Sequence, residues 1–214
     1  MIPDQTVVWN EKHDDGDHKN LRNKPSSFCL MVEPKIPRHS HVLELGCGVG
    51  RDSSLLSKKG HHVTATDISD VVIKQNKEYF GDTDINFEVL DIRESLPYES
   101  KSFEVVFANL SLHYYTDNQT HQVVQEVLRV LKNGGIFAFA CKSINDLNYG
   151  NGVEVEKNIF VSNTGHVRHL FSIEYAEELL LNELEIIHLD EIEEEYNGVK
   201  SNIVRCIAKK MEEA

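Results

Sequence analysis

The chain has 214 residues, of which 40% are hydrophobic, and a formal net charge of −13. This length suffices for a single domain with a substantial core, and the composition is that of an ordinary soluble globular protein. No stretch approaches the roughly 18 consecutive apolar residues of a membrane-spanning helix. The N-terminus lacks the basic and apolar segments of a signal peptide, so we expect a cytoplasmic protein that is not bound to a membrane.

The charge distribution argues against a nucleic-acid partner. Basic residues are dispersed, and the C-terminal third is rich in acids, among them Glu191, Glu193, Glu194 and Glu195. A nucleic-acid binder needs a basic surface that displaces counterions from phosphates. We therefore expect a small-molecule partner, and a monomer or a homodimer.

The cysteines predict neither a disulfide framework nor a metal site. The four cysteines lie far apart and form no C-x-x-C pair; they are Cys29, Cys47, Cys141 and Cys206. In a chain of this size that pattern indicates reduced thiols.

In chain order, strand-like and helix-like segments alternate. Residues 1–24 look polar and irregular, and a short helix is predicted at 28–32, after Ser26 or Ser27 as its N-cap. Strands are predicted at 41–45, 62–67, 85–90, 102–109 and 136–141, and helices at 51–59, 69–79 and 118–131. Residues 143–170 look irregular, and they precede a helix at 173–182 and an antiparallel strand pair at 184–192 and 200–209. Strands that alternate with helices predict right-handed crossovers and a doubly wound, mostly parallel α/β sheet with helices on both faces.

The segment H-V-L-E-L-G-C-G-V-G-R-D at 41–52 is the most informative part of the chain. A predicted buried strand runs into three glycines and the start of a helix. Glycine lets the backbone approach a ligand closely, and a helix N-terminus favours a carboxylate or a phosphate. The dinucleotide fingerprint G-x-G-x-x-G is not met, because its third glycine position is Arg51. Taken alone, the turn is either a nucleotide site or a strand-to-helix turn that needs glycine for its shape.

Polar residues also follow the next three predicted strands. Asp67, which lies 21 residues after Gly46, either accepts hydrogen bonds from a ribose or caps the following helix. Asp91 and Ile92 suit the amino edge and the ring of an adenine. Asn109 follows a buried apolar run, where a polar group is costly without a partner. Because ligands of doubly wound sheets bind at the carboxyl ends of the strands, these residues predict a binding site there.

The ordered series of motifs across residues 38–142 resembles that of class I S-adenosylmethionine (SAM)-dependent methyltransferases. The matching segments are H-V-L-E-L-G-C-G-V-G-R, T-A-T-D-I-S, F-E-V-L-D-I-R, S-F-E-V-V-F-A-N-L-S-L-H-Y and E-V-L-R-V-L-K-N-G-G-I-F-A-F. The resemblance implies a seven-stranded Rossmann-like sheet with an antiparallel C-terminal strand, SAM as cofactor and S-adenosylhomocysteine as product. It implies one domain over 1–214, with an N-terminal cap at 1–37, a SAM-binding core at 38–142 and a substrate-side loop, last helix and strand pair at 143–214.

The resemblance also implies roles for individual residues. The glycine turn lies under the methionine part of SAM and is oriented by Glu44, Asp67 holds the ribose with Ile68 against the adenine, and Asn109 meets the methionine end through its backbone. Arg51 binds either the methionine carboxylate or a neighbouring group such as Asp52. The implied cofactor-binding set is Glu44, Gly46, Cys47, Gly48, Gly50, Arg51, Asp67, Ile68, Ser69, Asp91, Ile92, Asn109, Leu110 and Ser111.

Methyl transfer depends mainly on placement of the reactants, and a general base is needed only for a protonated acceptor. The candidates for a catalytic role are His113, Tyr114 and Arg168, and those for acceptor contact are Trp9, Tyr149, His166 and His169. His113 is alternatively a packing residue, and the run 166–169 is either a surface for an anionic substrate or a solvated loop.

Three segments resemble the tellurite-resistance branch of these methyltransferases: Trp9 to His13 with Pro25 to Phe28, the G-R-D-S turn at 50–53, and residues 169–175. This likeness implies a small-molecule acceptor, either a chalcogen oxyanion or another small metabolite. An arsenite methyltransferase is disfavoured, because the spaced cysteines that it needs are missing. The alternatives are a non-catalytic protein that binds SAM or S-adenosylhomocysteine and, less favoured by the glycine spacing, a nicotinamide oxidoreductase.

Overall fold

A computed structural model describes residues 2–14, 21–180, 183–196 and 199–212. Its helices are α1 (Gln5–Asp14), α2 (Ser27–Val32), α3 (Arg51–Lys58), α4 (Asp70–Tyr79), α5 (Asp117–Val130) and α6 (Ile173–Leu180). Its strands are β1 (His41–Leu45), β2 (His62–Asp67), β3 (Asn86–Val89), β4 (Phe103–Asn109), β5 (Leu131–Lys142), β6 (Val153–Glu156), β7 (Ile159–Val161), β8 (Val167–His169), β9 (Leu184–Tyr196) and β10 (Val199–Lys210). Short 3₁₀ turns occupy Glu33–Lys35 and Leu112–Tyr114.

The main sheet has seven strands in the order β3-β2-β1-β4-β5-β10-β9. The first five are parallel, whereas β10 pairs antiparallel with both β5 and β9. The predicted doubly wound sheet with an antiparallel C-terminal strand pair is therefore confirmed. The chain reverses its direction of winding between β1 and β4, and the crevice of such a sheet opens at that point.

Two apolar clusters cover the two faces of the sheet. Successive residues of β4 alternate between them, as a strand requires: Val105 and Phe107 belong to the cluster that includes Leu56 of α3. Val106 belongs to the opposite cluster, with Val127 of α5. Helices on both faces keep the parallel strands out of solvent, so the sheet is a rigid support for the loops at its carboxyl edge.

The structure corrects the expectation that residues 1–24 are irregular. Residues 5–14 form helix α1, although their sequence shows no apolar stripe. Long-range hydrogen bonds hold the helix instead: the Gln5 side chain donates to the carbonyl of Gly165 at 3.0 Å, and Asn10 donates to the carboxylate of Asp70 at 2.7 Å. Periodicity could not predict a helix that tertiary contacts stabilise.

The expectation of an irregular segment at 143–170 is also wrong. Strands β6, β7 and β8 form a separate three-stranded antiparallel sheet. Its strands have only three or four residues, and Asn158 between β6 and β7 takes a left-handed φ of 61°. Residues 153–156 do alternate as V-E-V-E, but runs of three or four residues are too short for periodicity to distinguish a strand from a loop.

Among the helices in the described ranges, none combines the length and the apolar character that crossing a membrane requires.

Candidate active site

A cavity of about 580 Å³ lies at the carboxyl edge of the main sheet, between the turns that follow β1 and β4. It brings together most residues of the predicted cofactor set. Those that line it are Glu44, Gly46, Cys47, Gly48, Arg51, Asp67, Ile68, Ile92, Asn109, Leu110 and Ser111. The remaining three residues of the set do not line the cavity: Gly50, Ser69 and Asp91.

The turns after β1 and β4 pack directly on one another. Gly46 has a φ of 74°, and a Cβ at this position would lie 2.4 Å from the Cβ of Ser111. The Ser111 hydroxyl donates to the carbonyl of Leu45 at 2.6 Å. Leu110 takes a φ of 55°. This left-handed conformation is unfavourable for a residue with a large side chain, so the surrounding packing must hold it. The floor of the cavity is therefore held by a contact that only glycine allows.

The other two glycines have different surroundings. Gly48 lines the cavity with a φ of 49°, and a Cβ there would meet no atom within 4 Å. Gly50 is the N-cap of α3, and a Cβ there would lie 2.9 Å from the ring of Phe80. Gly48 thus leaves room in the cavity, whereas Gly50 lets α3 begin close to α4.

Asp67 connects the glycine turn to the start of α4. One carboxylate oxygen accepts from the backbone N–H of Gly48 at 2.9 Å, and the other accepts from that of Ser69 at 3.0 Å. The N-cap of α4 is Ser69, whose hydroxyl accepts from Val72 N–H at 3.3 Å. A carboxylate has about four acceptor sites. Asp67 lines the cavity and retains capacity for further hydrogen bonds.

Glu44 is buried beneath the glycine turn, where it accepts a hydrogen bond from the Ser53 hydroxyl. Burial disfavours its charged form, and the neighbouring Asp52 carboxylate adds repulsion. Together they raise the pKa of Glu44 to about 8. Glu44 therefore keeps its proton to a higher pH than an exposed glutamate does.

Asp52, which the sequence suggested only as a partner for Arg51, joins three segments of the site. Its carboxylate accepts from the Ser26 backbone N–H at 2.7 Å and the Ser26 hydroxyl at 2.8 Å. It also accepts from the Asn109 side-chain amide at 3.0 Å. Asn109 thus has the partner expected for a polar residue after a buried strand. The sequence contains all three residues, but no local pattern indicates that they meet.

Asp91 lies beside the cavity. Its carboxylate accepts two hydrogen bonds from Arg93 Nε, at 2.9 and 3.0 Å, and one from an Arg93 Nη at 2.5 Å. Burial opposes ionisation of Asp91, but the Arg93 hydrogen bonds outweigh it and lower its pKa. At this end of the cavity the lining residues are Leu90 and Ile92.

A group of aromatic rings lies where helix α1 meets the turn after β4. The Trp9 ring of α1 meets Tyr114 edge to face, with centroids 4.6 Å apart, and meets His166 with centroids 4.8 Å apart. Trp9 and Tyr114 line the cavity, whereas His166 supports Trp9 from outside. Burial lowers the pKa of His166 to about 4, and the charge of Arg168 adds to the effect.

Four further candidates are placed away from the cavity. His113 is fully buried with its ring 4.1 Å from that of Tyr114, and burial lowers its pKa well below the usual value. Arg168 donates to Asn148, and the half-exposed Tyr149 donates to Asn158, both at 3.0 Å. His169 packs between Phe171 and Tyr175. None of these four side chains lines the cavity in this structure.

The sequence analysis missed the residues that β5, β9 and β10 contribute. Lys142, Glu194, Ser201 and Ile203 line the cavity. Glu194 accepts a hydrogen bond from Ser27 at the start of α2. Lys142 is the last residue of β5, so inspecting that strand end would have found it. Ser201 and Glu194 belong to antiparallel strands. The rule that ligands bind at the carboxyl ends of parallel strands makes no prediction for such residues.

The chain is similar to known methyltransferases. Residues 42–135 match the sequence model of a family described as methyltransferase domain. The chain is 39% identical over 120 residues to phosphoethanolamine N-methyltransferase 1 of Triticum aestivum. This match covers 55% of this chain and 24% of the wheat protein. It is 35% identical over 127 residues to arsenite methyltransferase of Mus musculus, covering 52% of this chain and 33% of that protein.

Structural similarity extends further than sequence similarity. A 1,6-didemethyltoxoflavin-N1-methyltransferase of Burkholderia thailandensis, solved with its substrate and S-adenosylhomocysteine, superposes with a TM-score of 0.75 at 17% identity. The match covers 97% of this chain and 89% of that one, which shows a shared fold. The matches to the wheat and mouse proteins span only a quarter to a third of their lengths.

We expect Gly46→Ala to destabilise the ligand-free protein more than Gly48→Ala. Both glycines have positive φ, so the backbone strain is similar, but only the new Cβ at position 46 meets the Ser111 Cβ at 2.4 Å. Overpacking of this kind costs about 1–3 kcal/mol beyond the strain. Urea unfolding of both variants measures the difference, and equal losses would contradict a tight contact between the two turns.

We expect Glu44→Gln to reduce the pH dependence of stability. Because folding raises the pKa of Glu44 from 4.5 to about 8, the folded state binds an extra proton between these values, and stability falls as pH rises through that window. The slope from this group approaches about 1.4 kcal/mol per pH unit at most. Urea unfolding at three pH values across the window should show Glu44→Gln gaining on the unsubstituted chain as pH rises. The control is Glu178→Gln at an exposed position, and a parallel change in both variants would refute the assignment.

Proposed function

We propose that this chain, which carries a methyltransferase domain of the class I SAM-dependent superfamily, transfers the methyl group of SAM to a small-molecule acceptor. The domain match confirms the superfamily predicted from the motif series, for which SAM is the methyl donor. The observation that carries the proposal is that one cavity is lined by the glycine turn and also by Trp9, Tyr114 and Lys142. It can hold donor and acceptor side by side.

The donor end has the chemistry that a nucleoside with an amino-acid tail requires. Helix α3 begins at Arg51, directly after the glycine turn, and a helix N-terminus favours a carboxylate. Asp67 offers open acceptor sites for ribose hydroxyls, and Leu90 with Ile92 offers an apolar surface for a base. When bound there, SAM supplies an electrophilic methyl group on its sulfonium.

The protein contributes mainly placement and exclusion of water. Well-oriented reactants account for much of the acceleration of such a transfer. Trp9 and Tyr114 contact each other at the proposed acceptor end. Helix α1, which carries Trp9, is held by the hydrogen bonds of Gln5 to Gly165 and of Asn10 to Asp70. His113 lies behind Tyr114 and outside the cavity, so we assign it to support of that ring. An acceptor atom that arrives with a free lone pair needs no base.

For the acceptor, the class proposed is a small molecule. The run 166–169, predicted as either a surface for an anionic substrate or a solvated loop, does not line the cavity: His166 contacts Trp9, Arg168 donates to Asn148, and His169 packs between Phe171 and Tyr175. The likeness to the tellurite-resistance branch stays a prediction.

Calorimetry and a methyl-transfer assay test the proposal. We expect SAM and S-adenosylhomocysteine to release heat on binding and NADH to release none. We then expect S-adenosylhomocysteine to form from SAM in the presence of a member of a panel of small amines, thiols and carboxylates. Heat with NADH alone would overturn the proposal. Binding of SAM without turnover of any acceptor would favour the non-catalytic binding protein.

Asp67→Asn should weaken S-adenosylhomocysteine binding by about 1–3 kcal/mol, the value of a hydrogen bond to a charged group. Asparagine keeps one oxygen to accept from Gly48 or Ser69, so the turn should remain folded. Calorimetry measures the affinity, with Asp84→Asn in the exposed turn after α4 as the matched control. If Asp67→Asn binds as tightly as the control, Asp67 serves only the turn.

A further inference from the structure

Lys142 occupies an unusual position for a charged side chain. It ends β5 at the carboxyl edge of the sheet and lines the cavity, with its side chain only 21% exposed. Its ammonium donates to the Ser201 hydroxyl at 2.8 Å and to the Asp146 carboxylate at 3.1 Å. A partly buried ion pair contributes little net stability, so its presence in a cavity calls for another explanation.

Asp146 fixes Lys142 but does not itself face the cavity. Its side chain is fully buried and accepts from the Ser201 hydroxyl at 2.5 Å, from Asn202 N–H at 3.1 Å and from Asn148 N–H at 2.9 Å. Burial opposes its ionisation, but these hydrogen bonds prevail and lower its pKa to about 2. The negative charge of Asp146 is thus spread over several donors, and its side chain does not line the cavity.

Lys142 therefore has hydrogen-bonding capacity left on the cavity side. An ammonium has three donor hydrogens, and Asp146 and Ser201 account for two. The Ser201 hydroxyl donates its own hydrogen to Asp146, so it offers the cavity no donor. The other lysine and arginine among the described lining residues are Lys24, which is exposed at the rim, and Arg51, which begins α3 at the donor end. The acids Glu194 and Glu195 also line the cavity, where Glu194 accepts a hydrogen bond from Ser27 and Glu195 is exposed.

We propose that Lys142 is the anchor for an anionic group, a carboxylate or a phosphate, on the methyl acceptor. The inference rests on the proposed function, because it takes the end of the cavity near Trp9 and Tyr114 as the acceptor end. The anion accepts the remaining ammonium hydrogen of Lys142 as a charge-assisted hydrogen bond. This contact fixes the acceptor at one end and leaves its nucleophilic atom to be placed by Trp9 and Tyr114. The acceptor is then a small molecule with a nucleophilic atom and an acidic tail.

Titration of inorganic phosphate and of acetate tests the anchor directly. Each anion is added to the S-adenosylhomocysteine-loaded protein and followed by calorimetry and by the fluorescence of Trp9, the only tryptophan of the chain. The variants are Lys142→Met, Lys142→Gln and Lys142→Arg. Glutamine keeps a donor for Asp146 if methionine impairs folding, which circular dichroism monitors. Lys200→Met is the matched control, because Lys200 is exposed on the same strand as Ser201 and pairs with Glu193 at 2.7 Å.

We expect at least one of the two anions to bind, with affinity at least tenfold lower in Lys142→Met and Lys142→Gln. Lys142→Arg and Lys200→Met should stay within about twofold of the unsubstituted chain. Phosphate binding without acetate binding would identify a phosphate tail, and the reverse a carboxylate tail. The inference is overturned if neither anion binds, or if binding survives the loss of the charge at position 142. If S-adenosylhomocysteine fails to bind, the proposed function fails, and titration of the ligand-free protein still tests Lys142.

Discussion

The contact between Gly46 and Ser111 fixes how closely the turns after β1 and β4 approach each other, and the rest of the site depends on that spacing. Because no Cβ stands at position 46, Ser111 can settle on the turn and donate to Leu45. The same approach brings Asn109 within reach of Asp52. The contact between the two turns thus closes the bottom of the crevice that a doubly wound sheet leaves at this point.

Besides Asp67, which backbone N–H groups hold, three buried carboxyl groups lie around the cavity, and each is accommodated by a different physical means. Glu44 has its pKa raised to about 8, so it avoids much of the cost of a buried charge. Asp52 is held by neutral donors, two from Ser26 and one from Asn109. Asp146 is paired with Lys142. Of these three carboxyl groups, only Asp146 is neutralised by a cationic side chain that lines the cavity. The Lys142–Asp146 pair therefore compensates a buried charge and also presents an ammonium group to a ligand.

The donor half of the site could be predicted from the sequence because its residues lie at the ends of consecutive parallel strands. Gly46, Asp67 and Asn109 follow three apolar runs, and the topology rule puts such residues at one edge. The rule predicts where along the strand a site residue lies, but not where its side chain points. Asp91 lies at a strand end as the rule requires, yet its carboxylate pairs with Arg93 beside the cavity. His113 is polar and follows the same strand, yet its ring is fully buried. Side-chain direction depends on neighbours that a single sequence does not reveal.

The acceptor half was less predictable because it is assembled from distant segments. Trp9 comes from a helix without an apolar stripe, Lys142 from the end of β5, and Ser201 from an antiparallel strand. None of these residues shares a local motif with the glycine turn, so no sequence pattern indicated that they line one cavity. The wheat and mouse relatives, whose names describe different acceptors, match this chain over about half its length. One donor-binding framework is thus compatible with several acceptors, and the anchor at Lys142 is where this chain's own selectivity would be built.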